Sequence, residues 1–111
     1  MLQSIINEFR AQNGRHPVGM DNWQENEHCL WHCKHMANAG CVHAPGHLLH
    51  GKSEAVAYRS FFRDPREALN AIVFEDFTNS MEHRDIILFN DNLACAFHVE
   101  HNCVFVTIRG W

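Results

Sequence analysis

The chain has 111 residues, 46% of them apolar and 20% charged, with a formal charge of −4 at neutral pH. That length fits one domain spanning residues 1–111, and the apolar fraction excludes a disordered chain. The mild acidity, with seven of the nine cations being scattered Arg, excludes a basic nucleic-acid-binding stripe, and no run approaches the ~20 apolar residues of a transmembrane helix.

Leu2, Ile5, Ile6 and Phe9 recur at helical spacing, predicting a helix over 2–12 that Asn13-Gly14 terminates. A second helix is predicted over 22–38. Asp21 serves as its cap, Glu25 and Glu27 lie near its positive end, and Leu30, Cys33, Met36 and Ala37 form its apolar stripe. Residues 39–53 are rich in Gly, His and Pro and read as a loop. Ser53–Tyr58 reads as a short strand or an extended turn. Asp64-Pro65-Arg66-Glu67 is a helix start with Pro at the first position and a capping box, and it predicts a helix over 65–80. A short helix over 81–88 follows, then a turn at Asn90-Asp91-Asn92. Residues 93–98 and 103–108 read as a β-hairpin joined by Val99-Glu100-His101-Asn102. Helices first and a hairpin after them is an α+β order.

Ten histidines are the compositional oddity. Protonating all of them would move the charge from −4 to +6. His28, His32 and His35 fall at i, i+4 and i+7 on the second helix. They read either as a metal-gripping face or as a solvated, half-buried one beside the small buried thiols Cys29 and Cys33. There are five cysteines, so at least one thiol is free or pairs between chains. Cys95 and Cys103 lie on the two hairpin strands, where a cross-strand disulfide and two buried thiols are the alternatives. The N-terminal residues show no basic region followed by an apolar one, as a secretory leader would.

Four stretches in order carry a resemblance. They are Ile6-Asn7-Glu8-Phe9-Arg10 through Gly14, then His32-Cys33-Lys34-His35-Met36-Ala37-Asn38-Ala39-Gly40 with His43 after it, then Ser53-Glu54-Ala55-Val56-Ala57, and finally Phe77 through Leu88, which contains Ser80, His83 and Arg84. Together they resemble the CAP superfamily, or SCP domain, in its compact bacterial form: an opening helix INxYRxxxG, then HAxxMAxxG and a loop His, GENIA, and WxxSxxHRxNIL. The likeness covers essentially the whole chain. It departs from the pattern at Ser53, Ala55, Phe77 and Ile86.

The resemblance implies an α-β-α sandwich with a small antiparallel sheet between helical layers. It also implies a cleft where His43 and His83 form the metal-binding pair, with Glu54 as the acidic ligand-binding residue. Ser80, standing where larger members carry a second Glu, is the other ligand-binding residue the resemblance implies. A secreted or cell-surface location is implied, with a cytoplasmic one left open by the N-terminus. Two imidazoles and a carboxylate suit a divalent, zinc-like ion with an open coordination position. Glu54 would alternatively orient an imidazole through its N–H. The family's breadth points to a non-catalytic binding module whose partner is a small ligand, a lipid, a cell-wall component or a protein. A metal-dependent hydrolase and a purely structural His network are the competing expectations.

Overall fold

The computed structural model describes residues 1–111. Helix α1 covers Leu2–Gln12, α2 Trp23–Ala39 and a single turn α3 Gly46–Leu49. Strand β1 is Ser53–Ser60, α4 is Pro65–Ala71, α5 is Met81–Leu88, and β2 (Leu93–Glu100) and β3 (Cys103–Gly110) close the order. The three strands form one antiparallel sheet in the order β1-β3-β2, so the central strand follows both its neighbours in the chain. The architecture is α+β: α2 covers one face of the sheet, and α1, α4 and α5 cover the other.

Alternation along the strands divides the interior in two. Val104, Val106 and Ile108 of β3 join Leu93, Cys95 and Ala55 in a core with Ile6, Phe9, Leu69, Ile72, Val73 and Ile87. Each aliphatic side chain so buried contributes about 1.5–3 kcal/mol relative to exposure. The intervening residues face α2. There Phe105 packs with Cys33 and Met36, and the Cys33 thiol donates to Thr107 Oγ1 at 3.3 Å. Toward the far end of β3 this second layer turns polar, with Arg109 opposite Glu54 in the β1 register. Arg10, buried on α1, ties α1 and the loop after it to the end of α5. Its guanidinium donates to the His16 carbonyl in that loop and to the carbonyls of Ile87, Leu88 and Asn90 at 2.5–3.4 Å, satisfying orphan acceptors around the end of α5.

Several local expectations are corrected. The α2 cap is Asn22, whose side chain accepts from the Glu25 N–H at 3.1 Å; Asp21 lies one residue too early. The buried face of α2 is Glu25, Cys29, His32, Cys33 and Met36, so Leu30 and Ala37 are only half-buried. The helix predicted over 65–80 is α-helical only to Ala71. It widens into a π turn over Ile72–Asp76, where the Phe77 N–H reaches Ile72 O at 2.8 Å, and it ends in turns. The hairpin strands run two residues longer than expected. The connection is only His101-Asn102, both left-handed with φ 53° and 59°, which matches the strand twist of a two-residue turn. Cys95 and Cys103 do not face each other: Cys95 pairs with Ile108 and enters the larger core, while Cys103 pairs with Glu100 and packs on the α2 side. All five cysteines are free.

Candidate functional site

The polar end of the α2-facing layer is built around one carboxylate. Glu54 leaves β1 toward α2 because its neighbour Ala55 takes the opposite, apolar face. Its side chain is almost wholly buried. Glu54 Oε1 accepts from His43 Nδ1 at 3.2 Å and from the Ala44 backbone N–H at 2.8 Å. Oε2 accepts from Arg109 Nε at 3.0 Å. His32 Nε2 lies 3.9 Å from Oε1 and donates to the Val42 carbonyl at 2.6 Å. The carboxylate therefore ties the 40–45 loop to two strands, and His43 is held with Nδ1 toward Glu54, leaving Nε2 to accept.

Arg109 carries the network onward. Its Nη1 lies 3.4 Å from Glu25 Oε2 on α2. Glu25 also meets His28 Nδ1 at 3.3 Å and Lys52 Nζ at 3.7 Å. Burial raises the Glu25 pKa, but Lys52, the His28 hydrogen bond and Arg109 together outweigh it, and the carboxyl is held below its usual range. A buried charge pair of this kind is tolerated because each member has several partners.

His83 rises from the first turn of α5. Its ring lies 6.5 Å from that of His43, at 60°, and meets Phe77 edge-on at 5.1 Å. Burial lowers the His83 pKa, helped by His43 and opposed by Glu82. Ser80 is the N-cap of the same helix, its hydroxyl 3.5 Å from the His83 N–H. Thus His43 and Glu54 are in direct contact, His83 stands beside His43, and Ser80 shapes the helix that presents His83.

A cleft of about 490 Å³ opens next to this group. His43 and Glu54 line it with Lys52, Glu82, Asp85 and Asn90; His83 and Ser80 do not. Asp85 Oδ1 lies 3.7 Å from Arg84 Nε, both side chains partly exposed, so that pair contributes little. No set of three His, Cys, Asp or Glu side chains is gathered closely enough to hold a metal ion. A metal would be gripped by the two imidazoles alone, with water or a ligand completing its shell.

Sequence reasoning missed Arg109 and Glu25 as network members; Glu82 is near the pattern but does not match it, Asp85 reads only as a partner of Arg84, and both line the cleft. One signal was available for Arg109: a cation stands in alternation with Phe105 and Thr107 on the inward face of a strand rich in β-branched residues. No model of a known protein family matches the sequence, and no curated protein matches it.

Proposed function

We propose that this chain is a non-catalytic binding module of CAP, or SCP, type whose His43–His83 pair takes a divalent, zinc-like ion or a small ligand at the edge of the cleft. The observation that carries the reading is the Glu54–His43 hydrogen bond. A buried carboxylate fixes one ring nitrogen and leaves the other as a free acceptor, 6.5 Å ring to ring from a second imidazole. A bound divalent ion would supply positive charge and open positions for an anionic or carbonyl group. With only two protein ligands it would be held more weakly than at a three-residue site. The layered α+β fold and the four ordered motifs support the family reading, and with it an extracellular or cell-surface setting.

Binding is favoured over hydrolysis because Glu54 is not free to act as a base. Both its oxygens are already engaged by His43, Ala44 and Arg109. The same engagement favours a second reading, in which the group is a purely structural tie between loop and sheet. Calorimetric titration of zinc with thiols kept reduced decides between them. The binding module predicts one-to-one binding that disappears in His43→Ala/His83→Ala. Absence of binding in the wild type supports the structural tie. Binding unchanged in the double variant would place the ion elsewhere and refute the assignment.

A further inference from the structure

A second cavity, of about 410 Å³, lies on the other side of the Arg109 guanidinium, between α2 and the 44–50 segment. Its volume is in the range of small-molecule pockets, roughly 300–1,000 Å³. The walls are aromatic. His28 lies 5.6 Å from Trp31 and 6.5 Å from His50, the two imidazoles within 17° of parallel, and His35 and Leu48 complete the rim. Trp31 is 59% exposed and Leu48 48% exposed, which is costly apolar surface for a face with no partner.

The floor has the opposite chemistry. Arg109 is 2% exposed and lines the cavity. It gives Nε to Glu54 and Nη1 to Glu25, which leaves Nη2 without a protein acceptor. No carboxylate lines the cavity. The two acids bonded to Arg109 are already engaged, Glu25 by His28, Lys52 and Arg109 and Glu54 by His43, Ala44 and Arg109. The imidazoles are poorly placed for a metal: His32 Nε2 is committed to the Val42 carbonyl, and the His28 and His50 rings run nearly parallel instead of converging.

We propose that this cavity is a binding site for a flat aromatic acid, its ring held among Trp31, His28 and His50 and its carboxylate directed to Arg109. Stacking on the aromatic walls would supply much of the affinity, and a charge-assisted bond to Nη2 would supply the selectivity. The site is independent of the His43–His83 pair, so it stands or falls separately from the function proposed above.

The test is calorimetric titration with naphthoate at neutral pH in the presence of a chelator, with naphthalenemethanol as the uncharged analogue. Saturable one-to-one binding of naphthoate is expected, with the alcohol about tenfold weaker, the factor that 1.4 kcal/mol carries. Trp31→Ala/His50→Ala removes two exposed side chains, so the fold should persist by far-UV circular dichroism. It should weaken naphthoate about tenfold or more. Phe62→Ala, at an 88% exposed position near the hairpin turn, should change nothing. Failure of naphthoate to saturate, equal binding of the alcohol, or unchanged affinity in the Trp31/His50 variant would each overturn the proposal.

Discussion

Replacing Glu54 by Gln tests whether the buried network acts as one unit. The amide keeps one oxygen, which can still accept from Ala44 N–H and His43 Nδ1. The NH2 group then occupies the Oε2 position and faces Arg109 Nε, donor against donor, where a 3.0 Å charge-assisted bond stood. Removing one partner of a buried ion pair costs about 3–5 kcal/mol. Arg109 retains Glu25 at 3.4 Å, which reduces the expected loss to about 2–4 kcal/mol. For a domain of this size that lowers Tm by about 10–15 °C, against a total stability of roughly 5–15 kcal/mol. Urea unfolding followed by circular dichroism should show a lower midpoint with an unchanged slope. A loss under about 0.5 kcal/mol, the ordinary range for surface substitutions, would refute the argument: Glu54 would then be solvated and the Arg109 charge compensated without it.

Two further outcomes follow from the same structure. Asn22→Ala should destabilise the protein by about 1 kcal/mol through loss of the α2 cap, whereas Asp21→Ala should fall within about 0.5 kcal/mol of the wild type in denaturant titration; equal effects would contradict the cap assignment. In a thiol-labelling time course at mildly alkaline pH, Cys103 and Cys41, both partly exposed, should react first. Cys33 and Cys95 should wait for unfolding, since burial raises their thiols to about 11 and about 12. Five equally fast thiols would mean that the interior is open.

Local rules made most of the fold legible. Helical spacing located α1 to its observed ends, Asp64-Pro65 marked the start of α4, and β-branched residues marked β3. The errors arose where two neighbours offered the same chemistry or where tertiary packing decided. Asp21 and Asn22 are both good caps, and only the backbone shows which oxygen reaches Glu25 N–H. The π turn at Ile72–Asp76 has no clear signature in Ile-Val-Phe-Glu-Asp. At the site, the loop His43 and strand Glu54 came from a family pattern, and they do meet. Arg109 lies 55 residues from Glu54 and 84 from Glu25 along the chain. Its partners are fixed by strand register and by which face of α2 is buried, and neither is a property of any short stretch of sequence.

The strand order has a consequence for synthesis. Neither β1 nor β2 has a sheet neighbour other than β3, so a nascent chain that has reached residue 102 has no ladder to join, whatever its helices have done. Until residues 103–110 leave the ribosome, Ala55, Cys95 and the apolar faces of α1 and α4 lack the surface that covers them. Such non-local closure is slow and leaves unpaired strand edges exposed meanwhile. The strand made after its two partners therefore times the folding of the whole sheet, and Arg109, which it carries, delivers the charge that Glu25 and Glu54 have been waiting to bury.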